Sequence, residues 1–222
     1  MEVKQNFLNN VQNHVMYVKK NEGLYRHLNF KSPANNHAHF DIITWPNHLC
    51  ITGDYGTFTF SRIEDMFKFF NNPNGKLEIN ECYWAEKCIS ASREEIEKFS
   101  TDVCAQTIQE HFEQYISDIE LEEHQIANIK DDVESLISEV QQNEWHAVTA
   151  INNFHSHYAP NLLEDFWGNS CKEYTYHFKW CLYAIVWGIQ NYDKPNTPVT
   201  VIKHQQYGPS LNAVISKSGR AF

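Results

Sequence analysis

The hydrophobic period changes partway along the chain, and that change limits the fold more than any other feature. Between Tyr25 and Ser61 apolar and polar residues alternate in short runs, the pattern of strands with one buried face. From Ile96 onward the apolar residues Ile96, Phe99, Val103, Ile108, Phe112, Tyr115 and Ile119 recur at the spacing of one helix face. A chain that does both in succession is α+β. The expected architecture is an N-terminal helix and antiparallel β-meander, followed by a mostly helical half with a late strand. The boundary falls at residue 92, giving a helix-plus-sheet region over 1–92 and a mainly helical region over 93–222, packed together as one unit.

Within that plan, Val3, Phe7, Leu8, Val11, Val15 and Val18 fit one helix over 3–18. Strands are expected over Tyr25–Phe30, His39–Trp45, His48–Thr52 and Thr57–Ser61, with turns at Pro46-Asn47 and Gly53-Asp54-Tyr55-Gly56. A helix over Arg62–Phe70 follows, then further strands at Leu77–Ile79 and Cys82–Ile89. Ser92-Arg93-Glu94-Glu95 has the spacing of a capping box. Helices are expected from Ile96, over 121–140 and over Asn143–Phe154, and a core helix over Lys172–Gln190, before a strand at Pro198–Ile202. The longest apolar run, Trp180–Ile189, is about half the ~20 residues a membrane span needs, so no membrane partner is expected.

A hydrophobic content of 42% with 14% aromatic residues excludes a disordered chain. The six cysteines show no C-x-x-C spacing, and Met1-Glu2-Val3-Lys4 does not begin an apolar leader. Both features predict free thiols in a reducing cytoplasm. Charge is uneven. From Glu94 to Glu144 there are 15 acidic residues against Lys98 and Lys130, a balance of −13, while the remainder holds 13 acidic and 16 basic residues. Direct nucleic-acid binding is therefore not expected, because phosphate recognition needs a basic surface.

Three sets of residues are candidates for function. Glu122, Glu123, Asp131 and Asp132 lie on the predicted acidic helices, where a single-sign face imitates phosphate spacing and suits a protein partner with a basic surface. Their ordinary role is that of solvated helix faces. Trp45, Asp54, Tyr55 and Arg62 flank the turns of the meander, where an aromatic ring can stack on the base of a small nucleotide or plug the end of the sheet. His37, Asp41 and the intervening His39 alternate in a way that would place two imidazoles and a carboxylate on one strand face. Those are ligands for zinc or another transition metal, and His155-Ser156-His157 is a second such pair. The set resembles the start of the metallo-β-lactamase motif, although Ile42 stands where that motif has its next histidine. No cofactor is the favoured expectation, and the metal-dependent hydrolase is the alternative. No G-x-S-x-G elbow, Walker loop or dinucleotide fingerprint is present.

Four segments together resemble a family of mostly uncharacterised bacteriophage and prophage proteins: Leu28-Asn29-Phe30-Lys31-Ser32-Pro33, Phe40-Asp41-Ile42-Ile43-Thr44-Trp45-Pro46, Ile51-Thr52-Gly53-Asp54-Tyr55-Gly56-Thr57, and Phe60-Ser61-Arg62-Ile63-Glu64-Asp65-Met66-Phe67. The resemblance spans about Tyr25 to Phe70. It implies a phage-encoded accessory protein in a bacterial cytoplasm that acts by binding, as inhibitors of host defence do.

Overall fold

The alternating segments form a five-stranded antiparallel meander. The computed structural model describes residues 2–91, 96–168, 171–194 and 200–201. Helix α1 (Glu2–Val11) leads into β1 (Val15–Glu22), β2 (Tyr25–Lys31), β3 (Phe40–Trp45), β4 (His48–Gly53) and β5 (Gly56–Ser61), each strand antiparallel to the next. Leu28, Phe30, Phe40, Ile42, Leu49, Ile51, Phe58 and Phe60 are buried on the inner face. Asn29, Asp41, Thr52 and Thr57 stand abreast on the outer face. Asn47, at φ 68°, and Gly56, at φ 109°, supply the left-handed residues of the two tight turns. At Gly53 the constraint is different, since a β-carbon there would run into the His39 carbonyl.

The helix expected over 3–18 stops at Val11. Val15 and Val18 suit either period, but Met16 and Val18 are buried alternately and Val15–Val18 pairs with β2, so strand pairing prevails. The helix expected over Arg62–Phe70 shortens to α2 (Met66–Phe70), because Asp65 takes the cap position and accepts the Phe67 N–H at 3.1 Å.

In the helical part, α3 (Glu81–Ala85), capped by Asn80, precedes β6 (Cys88–Ser90), which corrects the strand expected over Cys82–Ile89. Leu77–Ile79 is irregular. Strand β7 (Glu97–Phe99) comes before α4 (Thr101–Asp118), so the helix starts later than Ile96. Ser100 caps it by accepting from Val103 N–H. Helices α5 (Glu123–Val140) and α6 (Glu144–Asn153) follow closely on expectation, the latter capped by Asn143. Strand β8 (Lys172–Tyr174) pairs with β7 and takes the first residues assigned to the core helix, which becomes α7 (Tyr176–Asp193). β9 (Thr200–Val201) lies parallel to β1 and is the described part of the late strand. The box at Ser92–Glu95 lies outside the described residues. The α+β class is as expected.

Two compact units divide the chain, Met1–Glu78 with Tyr183–Phe222, and Ile79–Leu182. The sequence places its single boundary at residue 92. In the sheet unit, the end of α7 contributes Trp187, whose ring lies 6.1 Å from Phe7 and 5.5 Å from Phe30. A β-carbon on Gly188 would sit 2.5 Å from Ile42 Cδ1, so the helix approaches the inner face where it has no side chain. The helical unit has its own core, including Ile108, Phe112, Ile129, Val133, Ala147 and Phe166.

Candidate functional site

Asp41 organises the outer face of the sheet. Its Oδ1 accepts from Lys19 Nζ at 2.9 Å and from His27 Nε2 at 2.7 Å, and its Oδ2 accepts from Asn29 Nδ2 at 3.2 Å. Register places Asn29 opposite Asp41, and an irregularity between Val18 and Lys20 brings Lys19 into reach. Burial works to raise the Asp41 carboxyl, but the bonds from Lys19, His27 and Asn29 outweigh it and hold the group below the usual carboxylate range. Lys19 and His27 also border a depression of about 600 Å³, with Lys20, Tyr25, Ile43 and Trp45 around it. Trp45 stacks on His48 with ring centroids 4.9 Å apart. Lys20 is paired with Glu22 at 3.1 Å, so both lysines of the depression already face a carboxylate.

The structure does not bring His37, His39 and Asp41 together as ligands. Alternation requires an unbroken strand, but β3 begins only at Phe40 and Ala38 adopts φ 58°. His37 is exposed, and His39 Nδ1 turns instead to Asp54 Oδ1 at 2.9 Å. His14 Nε2 donates to the Ala38 carbonyl at 2.9 Å, and burial lowers its pKa, with His37 and His39 adding to the effect. In the helical unit, His155 and His157 are exposed on either side of buried Ser156. Among the described residues no group of three His, Cys, Asp or Glu side chains is placed to hold a metal ion.

The four turn residues separate into two pairs. Trp45 and Arg62 sit at one end of the meander, where Arg62 N–H donates to the Asn47 carbonyl at 3.3 Å. Asp54 and Tyr55 form the turn at the opposite end. The cavity therefore includes Trp45 but not Asp54 or Tyr55. Lys19, Tyr25 and His27 are not among the residues that the sequence singles out, and their one signal there is the alternation of Tyr25, His27 and Asn29 on one strand face.

On the helical unit, Glu122, Glu123 and Asp131 are exposed and Asp132 is half-buried. At about 100° per residue, Glu123 and Asp132 point in opposite directions, so the four carboxylates surround α5 and do not form one stripe. Glu122 Oε2 lies 3.2 Å from His124 Nδ1, and the Glu122 N–H donates to the Gln125 side chain at 2.9 Å. Asp132 borders a depression of about 340 Å³ with Glu139 and His155. A larger cleft of about 630 Å³ is bordered by Glu110, Asp118, Glu164 and Asp165.

The charge partition follows the structural division. Ile79–Leu182 holds 20 acidic and 6 basic residues, a balance of −14, while the sheet unit holds 8 acidic and 12 basic, a balance of +4. Among the described residues no helix is long and apolar enough to cross a membrane. Comparison with known proteins finds no matching family model, no matching curated protein and no matching solved structure.

Proposed function

We propose that the chain is a phage-type accessory protein that acts by binding in the bacterial cytoplasm. Its helical unit engages a host protein with a basic surface, such as the nucleic-acid channel of a defence complex. The observation that carries this reading is the −14 balance confined to Ile79–Leu182. A surface of one sign steers a basic partner toward it and repels nucleic acid itself. The test is a salt-series pull-down from bacterial lysate, with captured proteins identified by mass spectrometry. Wild type is compared with a variant carrying Glu122→Lys, Glu123→Lys, Asp131→Lys and Asp132→Lys. Capture of a basic protein that weakens with salt and is lost in the variant is the expected result. Equal capture by both proteins at every salt concentration overturns it.

The depression beside Trp45 favours a second reading, a site for a small nucleotide. The rings of Trp45 and Tyr25 suit a planar base, and a phosphate on it would compete with Asp41 and Glu22 for Lys19 and Lys20. Calorimetric titration with nucleoside monophosphates tests it. Binding by wild type that is lost in Trp45→Ala is expected, and no heat from any nucleotide rules the reading out.

A further inference from the structure

Helix α6 buries Ala147, Ala150 and Ile151 and turns its other side outward. That outer side carries Trp145, 70% exposed, and Val148, 37% exposed, one turn apart. Asn152 continues the row, and its Oδ1 accepts from Trp167 Nε1 at 2.9 Å, which pins a second indole, 49% exposed, beside the end of the helix. Trp145 and Val148 thus share the outer face of α6, and Trp167 is tied to the same face through Asn152. Tryptophan is the residue type whose burial at an interface yields most, and it is enriched at the few positions that dominate binding.

The surroundings select the occupant. Glu144 precedes Trp145, and Glu164 and Asp165 precede Trp167; all three carboxylates are exposed. They belong to a unit of balance −14, so a second copy of this chain would bring the same charge against itself. A basic segment meets no such repulsion. Between the two basic side chains, arginine fits better, because a flat, weakly hydrated guanidinium stacks on indole and keeps its N–H groups free for the carboxylates of an acidic unit.

We infer that the outer face of α6, with Trp145, Val148 and Trp167, is a docking site for an arginine-rich segment of a protein partner. This deepens the proposed function and rests on its premise that the helical unit binds a basic protein.

The experiment is calorimetric titration of the full chain at low salt with a short peptide alternating arginine and glycine, and with its lysine counterpart. The arginine peptide should bind more tightly than the lysine peptide. Trp145→Ala and Trp167→Ala should each weaken its binding about tenfold, within the range for interface tryptophans, with melting curves unchanged for Trp145→Ala. Equal binding by wild type and Trp145→Ala, with weakening in a Glu123→Lys/Asp131→Lys variant, overturns the site and leaves the acidic-surface reading standing. No binding of the arginine peptide by wild type also overturns the site, and the salt-series capture then decides the acidic-surface reading separately. Sedimentation showing a dimer that Trp145→Ala dissociates overturns it in favour of a second copy.

Discussion

Arg26 holds Asp65 with both of its terminal nitrogens, Nη1 to Oδ1 at 2.9 Å and Nη2 to Oδ2 at 3.2 Å. The guanidinium carbon lies 4.4 Å from the centroid of the Phe67 ring, and Asp65 at the same time caps α2 through the Phe67 N–H. The two side chains are only 11% and 17% exposed, so the pair is not a surface ion pair of negligible worth. Asp65→Ala removes a helix cap, at ~1 kcal/mol, and strands the guanidinium without its partner. A total loss of about 2–4 kcal/mol is expected in urea unfolding. Arg26→Lys, which keeps the charge but not the fork or the stacking, should cost about 1–2 kcal/mol. A change within experimental error for Asp65→Ala would show that the pair contributes nothing.

Acid should act on the sheet unit through Asp41 and Asp65. Burial tends to raise both carboxyls. Hydrogen bonds from Lys19 and His27 to the first, and from Arg26 and the Phe67 N–H to the second, bring both below the ordinary range. A carboxyl with a lowered folded pKa stabilises fully above its unfolded value, about 3.9, and loses that contribution as pH falls through the folded value. Wild-type urea midpoints should therefore drop below about pH 4. An Asp41→Asn/Asp65→Asn double variant should start lower and show a shallower drop. Parallel acid profiles would dissociate these two groups from acid sensitivity.

Gly53 and Gly56 end the same turn for different reasons. Gly53→Ala pushes a methyl into backbone, the His39 carbonyl, with Phe40 Cα 2.8 Å away, so relief requires moving β3. Gly56→Ala instead puts a β-carbon at φ 109°, with only the Phe58 ring near. Each should cost ~1 kcal/mol or more, and Gly53→Ala should cost more than Gly56→Ala. Melting temperatures in the reverse order would contradict the close approach of the two strands.

All six cysteines are free thiols, and they should differ sharply in reactivity. Cys82 is exposed, whereas Cys104, Cys171 and Cys181 are buried. Burial, reinforced by neighbouring Cys171, pushes the Cys104 thiol up to about 12, so almost none of it is thiolate at neutral pH. Titration of the native protein should count Cys82 first and leave Cys104 and Cys171 silent until denaturant is added. Fewer than six thiols in denatured, unreduced protein kept from air would point to a disulfide.

The fold class was readable because Leu28, Phe30, Ile42, Phe58 and Phe60 alternate and Ile108, Phe112, Ile129 and Val133 do not. Boundaries failed where a segment suits both periods, as with Val15 and Val18, or where a distant strand claims it, as β8 claims Glu97–Phe99. Asp41 stood out in the sequence, but with the wrong company. A left-handed Ala38 leaves no mark in composition, and Lys19 reaches Asp41 only through a local irregularity in β1. The outward setting of Trp145 depends on which side of α6 meets the core, and its own neighbours in sequence do not reveal that.

Trp187 and Gly188 complete the packing of a sheet whose last meander strand ends at Ser61. On the ribosome the 104 residues of Ile79–Leu182 must be made in between. At ordinary rates of synthesis that delay is roughly 5–20 s. During it Phe30, Phe40 and Ile42 lack the helix that later lies against them, and their strands are exposed to premature association with other nascent chains. Slow codons between the two units would lengthen that vulnerable interval, and a chaperone able to hold a naked meander would shorten its consequences. The inner face of the sheet is synthesised before Ile79–Leu182 and is sealed only after it.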